Sequence, residues 1–234
     1  MRRAIAFGLM MLPAATAFAE EERARPEELF LGDHGWLQER AELQLSVAPA
    51  MHRDNMWYAG AAVEYGLTSR VQLSLEGGLT GGPNMDALRE LEIGAKLAAL
   101  RNEHWALAVG GAMTAEMADE TELGFEPSAS LSFGMGAVGA NLAVSSSVTD
   151  FDPSVAVALY GRVGRFIPLV EAGHIEGDFQ TRAGLAVQLG SAQLAAAMGY
   201  SGDLGASVHA VLSWEVSFAG GDDDDHDDDK DDEP

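Results

Sequence analysis

The sequence predicts an all-β protein: a transmembrane antiparallel β-barrel of about twelve strands, with an N-terminal signal peptide and a disordered acidic C-terminal tail. Three observations predict this. Apolar and polar residues alternate along many segments of ~10 residues. Tight turns alternate with connections that are mostly longer. Beyond residue 20, no apolar run approaches the ~20 residues that a transmembrane helix needs, so any crossing of a membrane must use strands.

The N-terminus has the layout of a secretory signal. Arg2 and Arg3 precede an apolar run from Ala4 to Leu12, and Ala17-Phe18-Ala19 precedes Glu20 as an A-x-A cleavage site. A short membrane anchor is the alternative, but the run is too short for a hydrocarbon core of ~30 Å. We therefore predict a signal peptide over residues 1–19, export of the protein, and a periplasmic N-terminal segment over residues 20–37.

Composition excludes several functions. The chain has 234 residues, no cysteine and a formal net charge of -23, so it cannot form disulfides or thiolate metal sites. Its negative charge would repel the phosphates of nucleic acid and gives no basic patch for a membrane surface. The charge favours solubility or the attraction of cations.

Period-two alternation marks the strands. Val71, Leu73 and Leu75 fall on one face of their segment, opposite Gln72 and Ser74. The same pattern, clear or weak, predicts twelve strands: Glu39–Val47, Met56–Gly66, Arg70–Leu79, Arg89–Leu97, His104–Glu116, Glu122–Phe133, Ala137–Val148, Ser154–Val163, Phe166–Gly173, Phe179–Leu189, Gln193–Tyr200 and Ser207–Phe218.

The connections predict the direction of the barrel. Short turns such as LTSR and GMGA alternate with longer, more acidic connections, of which Thr80–Leu88 is the longest. The barrel would span residues 38–218, and both chain ends would lie on its short-turn, periplasmic side in the outer membrane of a Gram-negative bacterium. Thr80–Leu88 is either a constriction of the lumen or an ordinary exposed loop. A soluble β-sandwich is the alternative fold, but aromatic residues near the strand ends favour a membrane barrel.

The last predicted strand ends in an aromatic residue. SVHAVLSWEVSF resembles the terminal strand that the barrel-assembly machinery reads, and Trp214, Val216 and Phe218 would carry that signal. Residues 219–234 follow, and Asp222–Pro234 contains ten acids and one lysine. Such a segment buries too little apolar surface to fold. A solvated tail is the main interpretation, and weak metal ligation by Asp222, Asp225, His226 and Asp227 is the alternative.

Charged residues on the polar faces of the strands are the candidate site. We predict that they line the lumen, with more acids than bases: Arg40, Glu42, Glu64, Glu76, Glu92, Lys96, Glu126, Arg162, Glu171, Arg182 and Glu215. In an open lumen the surplus acid would attract cations. In a closed lumen the same groups would form structural ion pairs.

One stretch resembles a known family. Gly35-Trp36 and the hairpin EYGLTSR, Glu64 to Arg70, resemble the opening of the phenol-degradation meta-pathway transporter-like outer-membrane proteins, over roughly residues 32 to 79. The resemblance implies a barrel that passes hydrophobic or aromatic small molecules. It supplies no functional residues, and the acidic tail is not part of the family's pattern.

The sequence therefore predicts transport rather than catalysis. His209 falls on a polar face without an evident serine nucleophile, and Asp150-Phe151-Asp152 is better explained as a turn. We predict a passive channel for small solutes, with no cofactor, no nucleic acid, and outer-membrane lipid and the assembly machinery as partners. The alternative is a closed structural barrel whose tail tethers a basic periplasmic partner or binds divalent cations.

Overall fold

The computed structural model describes residues 29–30, 36–53, 55–83, 85–118, 121–148, 151–175 and 177–218. These residues form twelve β-strands: β1 Glu42–His52, β2 Trp57–Thr68, β3 Val71–Gly82, β4 Met85–Arg101, β5 Trp105–Met117, β6 Thr121–Met135, β7 Val138–Ser146, β8 Pro153–Gly161, β9 Phe166–Ile175, β10 Asp178–Leu189, β11 Ala192–Ser201 and β12 Gly205–Ser217. In the described part of the chain, no helix is long and apolar enough to cross a bilayer. The signal peptide and the acidic tail lie outside the described residues.

The strands close into an antiparallel barrel. Each pairs with its neighbour in sequence, and β12 pairs with β1. At this seam Leu45 lies opposite Trp214, and the Phe218 N–H donates to the Ala41 carbonyl over 2.9 Å. Closure leaves no sheet edge with unpaired backbone groups, which a bilayer would not tolerate. The predicted fold class and strand number are confirmed.

The two faces of each strand differ in chemistry. In β12, Val208, Leu212 and Trp214 are exposed outside the barrel, whereas Ser207 and His209 are buried inside. Across the barrel the outward positions carry Leu, Val and aromatic residues, and the inward ones carry mainly Ala, Gly, Ser and charged residues. This alternation follows from the two-residue period of a strand. It places apolar side chains against lipid and polar side chains in the lumen.

The barrel has two ends, defined by its connections. The turn end carries the β2–β3, β4–β5, β6–β7, β8–β9 and β10–β11 connections together with Glu42 and Ser217, and the loop end carries the other six. Gly136 and Gly190 open two-residue turns at the turn end with φ of 56° and 71°, a conformation that favours glycine.

The expected long loop at Thr80–Leu88 is absent. β3 continues to Gly82 and β4 begins at Met85, so only residues 83–84 connect them. Thr80 pairs with Leu88, and a register shift between Thr80 and Gly82 absorbs the glycines as a bulge rather than a loop. The sequence prediction was wrong here because Gly-Gly-Pro marks a bulge followed by a tight turn. The longest connection is instead residues 147–152, between β7 and β8.

Aromatic side chains form a belt near each end. Trp105, Phe166, Trp214 and Phe218 are exposed near the turn end, and Trp57, Phe179 and Tyr200 near the loop end. Trp105 and Phe133 face each other across β5 and β6 with ring centroids 4.6 Å apart. Two such belts are typical of barrels whose outer surface meets both interfaces of a membrane.

Candidate functional site

A cavity of about 630 Å³ lies in the lumen and extends to the loop end. Met56 and Leu204 lie at its loop-end rim, and Leu29, Phe30 and Val211 also line it. Small Ala, Gly and Ser side chains make up nearly half of the wall and leave space that larger residues would fill. The barrel therefore holds a volume large enough for a small organic solute.

The lumen also holds part of the chain's own N-terminal region. We call Leu29–Phe30 together with Trp36–Gln38 the lumen segment. Leu37 is 1% exposed and packs against Ala98 and Ala108 near the turn end. Leu29 and Phe30 pack deeper, against a cluster contributed by β8 to β12: Ala158, Tyr160, Ile167, Leu169, Ala186, Ala195 and Val211. We expected residues 20–37 in the periplasm, but their described part lies inside the barrel.

Polar contacts hold Phe30 in the middle of the barrel. Its backbone N–H donates to both carboxylate oxygens of Glu171, over 2.8 and 3.1 Å. Its carbonyl oxygen accepts a hydrogen bond from the Arg182 guanidinium. Its ring meets the His209 ring edge-on at a centroid distance of 6.1 Å. Both backbone groups and the ring of Phe30 are thus matched by lumen residues.

A second set of contacts holds the lumen segment at the turn end. The Gln38 N–H donates to the Gln72 side-chain oxygen over 2.8 Å, and the Gln38 amide donates to Gln44. Gly66 makes room for the chain, because a Cβ at this position would overlap the carbonyl of Glu39. The glycine of the EYGLTSR hairpin therefore lets the segment leave the lumen beside β2.

One side of the cavity is acidic. Glu64, Glu76, Glu92 and Glu126 line it from β2, β3, β4 and β6, accompanied by Lys96. The Lys96 ammonium lies 3.3 Å from a Glu64 carboxylate oxygen. With four carboxylates and one ammonium, this acidic wall carries surplus negative charge inside a low-dielectric barrel, where the field of a charge extends furthest.

Tyr58 belongs to the same wall. Its ring lies over Gly60 and Gly78, where a Cβ would overlap it or crowd it, and its hydroxyl donates to Glu76 over 3.4 Å. The two glycines therefore let a large aromatic side chain lie flat against the barrel and leave the lumen open.

Another part of the cavity wall, on β10, β12 and β1, carries nitrogen-bearing side chains. Arg182, His209 and His52 line it, and β10 lies six strands from β4 around the ring. The His52 and His209 rings meet at 89° with centroids 5.6 Å apart. His209 Nε2 lies 2.8 Å from the Ser207 hydroxyl. The cavity thus has an acidic wall, a guanidinium across the ring from β4, and two imidazoles on β1 and β12.

The structure separates the predicted lumen residues into two groups. Glu64, Glu76, Glu92, Lys96, Glu126 and Arg182 line the cavity, and Glu171 holds Phe30. Arg40, Glu42, Arg162 and Glu215 lie at or near the turn end, away from the cavity. Arg40 precedes β1, and Arg162 lies in the β8–β9 connection.

The other predicted sites fall at the chain ends. Trp214 and Val216 lie in the last turn-end part of β12, and Phe218 follows it. The tail candidates Asp222, Asp225, His226 and Asp227 lie outside the described residues. Within the described ranges, no group of three or more His, Asp or Glu side chains is arranged to hold a metal ion.

Sequence reasoning missed several members of the site. Ser207 and His209 are two residues apart on one strand, so the alternation alone could have placed them side by side. Nothing in the periodicity marked Phe30 or Leu37, because they precede the first strand. Tyr58 was assigned to neither face of its strand, although its position between the outward-facing Trp57 and Ala59 places it on the lumen face.

The fold was compared with known proteins. No family model matches the sequence, and no curated protein matches it. A solved KdgM porin matches with a TM-score of 0.63 at 8% identity, over 73% of this chain and 98% of KdgM. A NanC porin matches with a TM-score of 0.57 at 9% identity, over 74% of this chain and 100% of the NanC chain. This chain shares the fold of these two porins.

A further similar structure is LpxR from Salmonella typhimurium, with a TM-score of 0.50 at 11% identity, over 73% of this chain and 99% of LpxR. At these identities the likeness concerns the fold alone. The phenol-degradation meta-pathway family suggested by the hairpin is supported by neither the family models nor the sequence comparison.

Proposed function

We propose that the protein is an outer-membrane channel for the passive diffusion of small solutes, in a Gram-negative bacterium, with both ends of the chain on the periplasmic side. The observation that carries this proposal is the cavity of about 630 Å³ inside a closed barrel with two aromatic belts. The twelve-strand porin fold of KdgM and NanC supports it. The longest connection, residues 147–152, lies at the end away from the chain ends and supports the orientation.

The acidic wall would set the charge preference. Glu64, Glu76, Glu92 and Glu126 outnumber the nearby Lys96, so cations entering from the loop end would be stabilised and anions repelled. A KdgM structure contains disordered oligogalacturonate, an acidic sugar chain. The wall described here would disfavour such a polyanion.

The lumen segment would control the flow. Phe30 and Leu37 lie in the middle and at the turn end of the barrel, so a solute that enters the cavity must pass them to cross the membrane. We propose that the segment shifts to open the path and that conductance is therefore lower than in a barrel without it. This is diffusion with a movable obstruction.

The finer preference for hydrophobic or aromatic solutes is part of this proposal. Tyr58 and Phe30 line the cavity alongside its alanines and offer aromatic contact. Membership of the phenol-degradation meta-pathway family is likewise proposed, on the hairpin at Glu64–Arg70 alone.

We propose transport without catalysis. Ser207 and His209 form a hydrogen-bonded pair, but a nucleophile and base also need an orienting group and oxyanion donors. Among the described residues His209 contacts Ser207, His52 and Phe30, and none of these supplies a carboxylate.

The proposal is tested by refolding mature protein from Glu20 in detergent, checking that its gel mobility changes on heating, and recording currents across a planar bilayer in a salt gradient. Discrete steps with a reversal potential that favours cations are expected. A folded barrel without conductance, both intact and with the lumen segment weakened by Leu37→Ala, would reject the channel.

The lumen segment also favours the second candidate, a closed structural barrel. In that case the acidic tail would bind a basic periplasmic partner or divalent cations. Deleting Asp222–Pro234 should then abolish binding of polylysine or Ca²⁺ in a pull-down or titration, with Glu76→Gln as the lumen control that leaves binding intact. Equal binding with and without the tail would reject this role.

A further inference from the structure

The position held by Phe30 has the chemistry of a ligand site. We propose that Glu171, Arg182 and His209, with the apolar cluster beside them, bind a small aromatic zwitterion, a molecule with a ring, an ammonium and a carboxylate. The chain's own Phe30 occupies this site as an internal competitor. The inference rests on the proposed channel function and names the class of solute that the barrel selects.

The polar half of the site consists of two opposite charges. Glu171 is 1% exposed, and its two carboxylate oxygens receive the single N–H of Phe30 at 2.8 and 3.1 Å. Arg182 pairs with Glu171 across β9 and β10 and donates to the Phe30 carbonyl. The carboxylate of Glu171 and the guanidinium of Arg182 therefore contact the N–H and the C=O of the same residue.

Charged groups would suit these partners better than a peptide does. An ammonium offers three donors to Glu171 in place of one N–H, and a carboxylate can accept two parallel hydrogen bonds from Arg182 in place of one. Each contact would then join two ionised groups of opposite charge, in place of one ionised group and one neutral peptide group. A free amino acid presents both ions at nearly the spacing of the peptide groups that it would replace.

The apolar half of the site receives a ring. Phe30 contacts the buried cluster that includes Ile167, Leu169 and Val211, and its edge-on contact with His209 is a favourable aromatic geometry. Burial of a ring in such a site is favourable, so a solute without a ring would bind more weakly.

The site is accessible from the cavity. Phe30, Arg182 and His209 all line the same space as the rim residues Met56 and Leu204. A solute entering at the loop end could therefore reach the site and take the place of Phe30. Displacement of Phe30 would also begin to release the lumen segment, which couples binding to opening.

Competition predicts a specific effect of vacating the site. If Phe30 fills the site most of the time, the apparent affinity for a solute falls by the fraction of molecules in which the site is empty. Phe30→Gly removes the ring and should raise the affinity for L-phenylalanine by about tenfold or more. Phe151→Gly, in the β7–β8 loop where Phe151 is 79% exposed, is the matched control and should change nothing.

The test uses the folded full chain in detergent, with binding measured by saturation-transfer NMR. The probes are L-phenylalanine, phenethylamine without the carboxylate, 3-phenylpropionate without the ammonium, and L-serine without the ring. L-Phenylalanine should bind most tightly, and the other three at least about fivefold more weakly, because each loses one contact. Glu171→Gln should reduce binding of phenethylamine more than that of 3-phenylpropionate.

The outcomes separate this inference from the channel itself. Equal binding of all four probes, or no gain with Phe30→Gly in a barrel whose gel mobility still changes on heating, would overturn the site even if the barrel conducts. Selective binding in a barrel that does not conduct would support the site and reject the channel. Because the probe series is read on the wild-type chain and on Phe30→Gly, the result does not depend on Glu171→Gln folding.

Discussion

The N–H of Phe30 donates to both carboxylate oxygens of Glu171, over 2.8 and 3.1 Å, and so joins two residues 141 positions apart. Glu171 is buried in the middle of the barrel, where a carboxylate is costly unless charge and hydrogen-bond partners surround it. Phe30 and Arg182 supply such contacts. The lumen segment is therefore part of what stabilises the charged interior of the barrel.

Weakening the lumen segment should raise conductance. Leu37→Ala removes a side chain that is 1% exposed, and truncation of a buried leucine typically costs about 2–5 kcal/mol. Because this loss falls on the docked state of the segment, we expect larger or longer openings in planar bilayers than for the wild type. Leu123→Ala is the matched control, since Leu123 is 73% exposed on the outside of β6. Equal currents for wild type and Leu37→Ala would show that the segment does not obstruct the path.

Neutralising the acidic wall should reduce cation preference. Glu76→Gln together with Glu92→Gln removes two of the four carboxylates on this side of the cavity at nearly constant volume. The reversal potential in a potassium chloride gradient should move toward zero, because the field inside the lumen weakens. Glu103→Gln, in the exposed β4–β5 connection, should leave the potential unchanged. A shift as large with Glu103→Gln would assign the selectivity to the surface charge of the whole protein.

A methyl group at Gly139 should destabilise the barrel. A Cβ at this position would overlap the ring of Tyr160, which is buried in the lumen cluster. Overpacking of this kind costs about 1–3 kcal/mol, so Gly139→Ala should lower the temperature at which gel mobility changes. Gly134→Ala is the control, because Gly134 pairs with Gly139 across β6 and β7 and a Cβ there meets nothing within 4 Å. Similar losses in both variants would mean that strand glycine itself matters, not the Tyr160 contact.

The terminal aromatic residue should affect assembly more than folding. The Phe218 ring is 62% exposed, and the contact that joins residue 218 to β1 is a backbone hydrogen bond to Ala41. Phe218→Ala should therefore refold normally in detergent but accumulate less heat-modifiable barrel in the outer membrane of cells. Phe151→Ala should reach wild-type amounts. Normal assembly of Phe218→Ala would remove the predicted role of this residue as a signal to the assembly machinery.

The sequence by itself determined the barrel. A strand places alternate side chains on opposite faces, so the apolar pattern in segments such as Val71–Leu79 predicts which face contacts lipid. The number of such segments predicts twelve strands. Local chemistry was enough because each strand pairs with its neighbour in sequence. The same parity placed Glu64, Glu76 and Glu92 in the lumen. It failed at Thr80–Leu88, where the glycines extend a hairpin instead of ending it.

Only the tertiary structure decided what fills the lumen. Phe30 and Leu37 lie before the first strand, and no periodicity in their neighbourhood indicates a partner. Their positions depend on Glu171, Arg182 and Ala108, which are more than 70 residues away in sequence and become neighbours only when β12 closes on β1. The division of the lumen into a cavity and an occupied part arises for the same reason: local patterns assign a side chain to a face, whereas closure of the barrel decides which side chains meet across it.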